Sequence, residues 1–349
     1  MKLVVTIDTE EDNWGSYSPT EYTLRNIERL PALQALFDQL GVQPTYLITY
    51  PVATNEKTIR ILGDLLKQGN CEIGAHCHPW NTPPFEEHNT ERNSMLYNLP
   101  PELQYKKLLS LQTAISTNFG VGALSFRAGR WGYSYEVAKN VASLGFKIDT
   151  SITPYTDWTI YHGPNFWNLP PEPFQSTFGT TKGQSTQASL IEIPATIGYL
   201  QRAAAPCNLI LKIAEKRPFK LMRLPRLLSE LRLVNKVWLS PELCDGNSMI
   251  QLTRRLQRRG HSIANLFFHS PTLVAGLTPF AHTTADETRL LNRIRHFLTF
   301  TTDSGIEPMK LSDAGDFLMA DGLRTYDVAL ASPAPTSKEL IKSYERVPQ

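Results

Sequence analysis

The chain has 349 residues, 41% of them hydrophobic and 19% charged. That is enough apolar side chain for a sizeable core and excludes a disordered polyelectrolyte; at roughly 150 residues per domain the length fits two domains or one large barrel. A net charge of +2 excludes nucleic-acid binding by bulk charge, and four cysteines (Cys71, Cys77, Cys207, Cys244) form neither a dense disulfide framework nor a CxxC metal knuckle.

The N-terminal run MKLVVTIDTEED turns acidic too soon for a secretory or membrane segment, so the sequence predicts a soluble, cytoplasmic globular enzyme. Short apolar, β-branched runs predict strands at Lys2–Ile7, Thr45–Thr49, Cys71–Ala75, Ala123–Phe126, Phe146–Ile148, Leu190–Ile193, Ile263–Phe268 and Met309–Leu311. Between them, Ile27 to Leu40, Ile59 to Leu66 and Tyr135 to Leu144 repeat apolar residues at helical spacing, and Gly41, Gly69 and Gly145 stop them. About seven or eight such strand–helix units predict a β/α barrel. Residues Leu209–Trp238 break the rhythm with a helical, basic stretch, and the segment after Arg324, with its ASPAPTSKE run, reads as a tail.

Polar residues fall where the strands end. Asp8 follows the first strand, His76 the third, Arg127 the fourth and Asp149 the fifth, and His269 ends the seventh. That is the rim on which β/α barrels build their sites. Asp8 and Glu10 are two apart, so on an extended chain they leave on one face. Such a pair suits one metal ligand and one general base; an acidic loop continuing through Glu11 and Asp12 is the plain alternative. His76 and His78 repeat the spacing and offer two imidazoles to a divalent cation, with His88 a further candidate; the alternative is a pair of loop histidines. Cys77 points away from them. The Arg127 guanidinium can hold Asp8 ionised, or serve a structural ion pair. Arg130 and Trp131 read as a substrate wall, His269 as a general acid, and Asp149 as the group behind it.

This pattern resembles the polysaccharide deacetylase superfamily, the NodB-homology or carbohydrate esterase family 4 proteins, over roughly residues 1–323. Asp8-Thr9-Glu10 resembles the family's first motif and Leu266-Phe267-Phe268-His269 its last, while Arg127 matches the arginine that braces the base. The second motif has two histidines four apart; here the residue four beyond His76 is Trp80, so either His78 supplies the second nitrogen or the metal site is altered or lost. Asp149, Asp157 and Trp158 are candidates for the fourth motif. The resemblance implies an irregular (β/α)7-type barrel with a basic helical insertion at about 205–240 and a tail at 324–349. It implies a divalent metal, zinc by expectation, on Glu10, His76 and His78. Asp8 would be the base and His269 the acid with Asp149 behind it, and Arg130, Trp131, Trp80 and Trp158 would bind the sugar. The implied reaction removes an N-acetyl group from an amino sugar or glycan. A hydrolase of another non-peptide amide, or a glycan-binding protein on a decayed scaffold, keeps the same fold. For the basic insertion, a solvated helix face stands beside peripheral membrane contact or a grip on a lipid-linked glycan. No nucleic-acid partner is expected, and nothing in the sequence marks an oligomeric state.

Overall fold

Strand β1, Lys2–Thr9, is buried on both faces and its residues divide by parity. Leu3, Val5 and Ile7 join the main core against the surrounding helices, whereas Val4 packs with Ile148, Ile191, Ile263 and Leu311 inside the sheet's curve. Thr6, Asp8 and, just past the strand, Glu10 continue that inner face, so it runs from apolar to charged along the chain.

The computed structural model describes residues 1–178 and 188–326. The strands after β1 are β2 (Thr45–Ile48), β3 (Glu72–Cys77), β4 (Ser125–Ala128), β5 (Ile148–Asp149), β6 (Phe174–Phe178), β7 (Ala188–Glu192), β8 (Ile197–Tyr199), β9 (Lys236–Trp238), β10 (Ile263–His269) and β11 (Glu307–Pro308). The main sheet runs β10-β1-β2-β3-β4-β5-β7-β6, parallel except for the β6–β7 pair, with β11 beside β1. No ladder joins β10 to the far edge among the described residues, so the expected barrel is open. Thr196 spans the gap instead, its Oγ1 accepting from Asn265 N at 2.8 Å and its carbonyl accepting from Leu239 N at 2.8 Å.

The three glycine-stopped helices form at Leu30–Gln39, Glu56–Lys67 and Tyr135–Ser143, and Gly41, Gly69 and Gly145 take the positive φ that the stop requires. The predicted strand at Met309–Leu311 is not one: pairing stops at Pro308, and Leu311 opens the helix Leu311–Asp321, whose apolar face plugs the sheet at Ile148 and Val4. The insertion comprises helices Ala204–Ala214, Arg217–Leu221 and Leu224–Glu230, carried between β8 and β9, which pair antiparallel. Of the predicted tail, residues 327–349 lie outside the described residues; Tyr326 N donates to the Gln175 carbonyl of β6. No helix among the described residues is long and apolar enough to cross a membrane.

Candidate active site

Parallel register sets the rim. Asp8 pairs with His269 across β1–β10, His76 with Arg127 across β3–β4, and Asp149 with Glu192 across β5–β7. Above them is a cavity of about 580 Å³ lined by Asp8, Glu10, His76, His78 and His269 together with a wall of aromatic side chains.

Glu10, His76 and His78 converge at one end of it, all buried, with their ligand atoms within 4.8 Å of one another. Glu10 Oε2 lies 3.5 Å from His76 Nε2 and 3.2 Å from His78 Nε2. Donors on a tetrahedral zinc at about 2.0–2.1 Å stand roughly 3.3 Å apart, so the spacing fits a divalent cation. The tautomers fit too. His76 Nδ1 donates to the Arg127 carbonyl at 3.1 Å and His78 Nδ1 to Glu11 Oε1 at 3.0 Å. With Nδ1 so committed, Nε2 is the nitrogen of each ring that would face a bound cation, the usual way a protein orients imidazole ligands. Glu11 is itself fixed by Asn81 Nδ2 at 2.7 Å and Thr49 Oγ1 at 3.1 Å. The period-two spacing thus places the pair on one side of an extended strand end, where a four-residue spacing would have required a turn.

Without a cation this cluster is proton-hungry. Burial lowers the His78 pKa, but Glu11 and Glu10 outweigh it and raise it to about 9. Burial likewise opposes the charge on Glu10, yet hydrogen bonds from His76 and His78 hold its carboxyl well below the ordinary range.

Asp8 stands beside the cluster. Its burial would raise its pKa, but Arg127 overrides this and holds it below the usual value, with His76 and His269 adding to the effect. The Arg127 fork is fully buried: Nη1 donates to Asp8 Oδ1 at 2.6 Å, Nη2 to Thr6 Oγ1 at 2.7 Å, and Nε to the Thr150 carbonyl at 3.0 Å. Asp8 Oδ2 is left facing His269 Nε2 at 3.5 Å, across the cavity floor.

His269 corrects one expectation. The group behind it is Glu242, not Asp149: Glu242 Oε2 accepts from His269 Nδ1 at 3.0 Å, and Oε1 from His269 N at 3.1 Å and Thr272 Oγ1 at 2.5 Å. Burial lowers the His269 pKa, but the Glu242 charge and hydrogen bond, helped by Glu10 and Asp8, raise it to about 10. Asp149 does not line the cavity: it follows the inward-facing Ile148 on β5 and so points to the other face of the sheet, in register with Phe126. Ser151 N and Oγ donate to it at 2.9 and 2.7 Å, and Ser151 Oγ accepts from Ala128 N at 2.8 Å, so Asp149 braces the end of β4 that carries Arg127. Burial raises both Asp149 and its neighbour Glu192, and Asp149's charge pushes Glu192 further.

The predicted walls divide. Trp80 stacks on His78, ring centroids 4.1 Å apart at 22°, and so packs a candidate ligand as well as bordering the cavity. Trp131 lies over the Arg127 guanidinium at 5.1 Å and edge-on to Phe267. Arg130 and Trp131 reach these places through successive positive φ angles of 53° and 60°, a conformation that non-glycine residues hold only when neighbours fix it. Arg130 donates to Ser94 and covers the Tyr17 ring at 4.9 Å. Trp158 lines the cavity with its Nε1 bonded to Thr153 Oγ1 at 2.8 Å. Asp157 does not enter it, accepting instead from Thr159 N and Asn165 Nδ2. His88 is exposed on the surface, and Asp12 is tied to Thr23, Arg25 and Asn26, so neither joins the metal cluster. Cys77 is buried away from the cavity beside Thr82, where burial raises its thiol to about 12.

Sequence reasoning missed Glu11, Glu242 and Gly129. In sequence Glu11 belongs to an acidic loop. Glu242 follows β9 in SPELCDG, a polar strand end like the others, but β9 lies within the stretch whose composition is helical and basic. Gly129 leaves room for a ligand: a Cβ there would collide with the His78 ring and crowd the Cys77 carbonyl. Trp14 was also missed; it meets His269 edge-on at 4.8 Å.

Comparison with protein-family models and with curated proteins finds no match. Solved structures do match. One is a Mycobacterium smegmatis "putative polysaccharide deacetylase", with TM-score 0.52 and 14% identity over 93% of this chain and 92% of that one. Another is a Parabacteroides distasonis "putative glycoside hydrolase/deacetylase", with TM-score 0.53 and 11% identity over 90% and 70%. A 4-alpha-glucanotransferase from Thermococcus litoralis matches at TM-score 0.52 and 12% identity over 97% of this chain and 41% of that one. A fold shared between differently named enzymes leaves the chemistry to be argued from the site. The chain has the NodB-type fold of the polysaccharide deacetylases, in a form far diverged in sequence.

Proposed function

We propose that the protein is a divalent-metal-dependent hydrolase that removes an N-acetyl group from an amino sugar or glycan. The observation that carries the reading is the convergence, at one end of one cavity, of three metal-type donors, an arginine-braced carboxylate and a carboxylate-backed histidine. Glu10, His76 and His78 would hold a divalent cation, zinc by expectation, which when bound would supply Lewis acidity and lower the pKa of water.

The chain's own residues handle the protons. Asp8, kept ionised by Arg127, takes the proton of the attacking water at Oδ2, the oxygen not held by the guanidinium. His269, kept protonated by Glu242, donates from Nε2 to the amide nitrogen as the carbon–nitrogen bond breaks. Water and amide thus become acetate and a free amine, and one proton passes through each residue. The aromatic wall, with Trp158 and Trp131 among its members, suits the apolar face of a sugar ring and excludes bulk water from the charged floor.

Acetate and primary amine released from a panel of N-acetylated amino sugars and short glycans test this reading. Asp8→Asn is expected to lower kcat by about 100- to 10,000-fold while metal content stays that of the unaltered chain. Binding of such sugars without acetate release, under saturating metal, would overturn hydrolysis and leave a glycan-binding protein.

A further inference from the structure

Nine of the eighteen large apolar side chains that the described residues expose to solvent lie between Leu209 and Leu233, on the helical insertion. Helix Ala204–Ala214 is apolar on both sides. Cys207 and Leu211 face inward, packing with Tyr199 and Val234, while Leu209, Ile210 and Ile213 face outward. Further along, Leu221 and Met222 are 78% and 75% exposed. A helix apolar all round is ordinarily covered on all sides, and an apolar patch of this extent marks an interaction surface.

The charges identify what covers it. Residues 204–235 hold seven Lys and Arg against Glu215 and Glu230, an excess of five cations in a chain whose net charge is only +2. The positive potential is therefore concentrated here and the remainder of the molecule is net acidic. Lys212, Lys216, Arg223, Arg226 and Arg232 are exposed among the apolar groups, and of these only Arg226 has a carboxylate partner, Glu230, among the described residues. The core of a protein–protein interface is depleted of lysine and needs discrete partners for each charge. A surface of anionic headgroups over an acyl layer satisfies both features together: long cationic side chains reach the headgroups while the leucines between them sink below.

We propose that this helical insertion is a docking surface for an anionic lipid bilayer. The insertion stands on β8 and β9, and Trp238 of β9 lines the cavity, so docking would bring one cavity wall to the membrane. The proposal stands independently of the chemistry proposed for the cavity.

The test is flotation of the full chain with vesicles of phosphatidylcholine alone, or of phosphatidylcholine with roughly 30% phosphatidylserine. The chain is expected to float with the anionic vesicles only, and less as salt is raised. Leu221→Ser with Met222→Ser, and separately Lys216→Glu with Arg226→Glu, should each lower partitioning at least about tenfold. All four positions are exposed, so an unchanged unfolding midpoint shows that the variants are intact. Absence of flotation with anionic vesicles would overturn the proposal, as would partitioning unaffected by both pairs of substitutions. So would a dimer in lipid-free buffer that both pairs dissociate, because a second copy would then be what covers this face.

Discussion

At the scale of single residues, the site is built by committing the polar atoms behind the cavity to fixed partners. His76 and His78 spend Nδ1 on fixed acceptors, and Arg127 spends its fork on Asp8, Thr6 and Thr150, so that one carboxylate oxygen and two imidazole nitrogens remain turned toward the cavity. Gly129 is the steric condition for that arrangement. Gly129→Ala should displace the His78 ring and lower metal affinity on the order of 10- to 100-fold, as disturbing ligand orientation does elsewhere; a metal titration by calorimetry reads it. Glu242 is the electrostatic condition for the acid. His269 is raised to about 10, so its proton is fully held below its ordinary pKa near 6.5, and acid function is lost as pH climbs through 10. Glu242→Gln removes the charge and should move the alkaline limb of the kcat–pH profile toward neutrality. An unmoved limb would show that Glu242 does not set the proton affinity of His269. The same sign governs stability: the His269–Glu242 pair contributes below pH 6.5 and its contribution fades as pH rises through 10.

At the scale of elements, strand register and one buried lysine place these residues. The loop after β3, which holds His78 and Trp80, is pinned from behind by Lys107 of the helix Pro101–Phe119. Its ammonium is fully buried, donates to the carbonyls of Pro79, Thr82 and Pro84 at 2.7–2.9 Å, and pairs with Glu87 at 2.8 Å. Lys107→Ala strands the Glu87 carboxylate and three carbonyls, which should destabilise the fold by about 3–5 kcal/mol in denaturant unfolding. A loss under about 1 kcal/mol would mean that the loop does not depend on this anchor. Elements were legible in the sequence where period and punctuation agree, as in β1, β3, β10 and the helices stopped by Gly41, Gly69 and Gly145. Tertiary context decided the others: Leu311 reads as strand by composition but caps the sheet's apolar end as a helix, and β9 is too short to stand out from the cations around it.

At the scale of the whole molecule, the open sheet sorts its inner face into an apolar end at Val4 and Ile148, a buried polar middle at Thr6, Arg127 and Asn265, and a charged rim at Asp8 and Glu10. Alternation along β5 explains why Asp149 departs from the expected role. Ile148 faces inward, so Asp149 points to the sheet's other face, where it holds Ser151 and braces β4, whereas the partner of His269 comes from the turn after β9. The three-donor cluster and Asp8 were legible because pairs of residues two apart, at the ends of β1 and β3, carry them. Glu242 was not, because only the tertiary fold brings it to His269. The two ends of the design are coupled by charge: with no cation, His78 is raised to about 9, so metal entry at neutral pH must release a proton and affinity should strengthen as pH rises toward 9.

The most direct test of the central claim is the metal content of the purified chain after zinc loading and desalting, measured alongside Glu10→Ala, His76→Ala and His78→Ala. The account predicts one zinc per chain, removed by chelator, and loss of tight binding in all three variants with the fold retained. No retained metal at any pH up to about 9, or retention that is indifferent to all three substitutions, would contradict it.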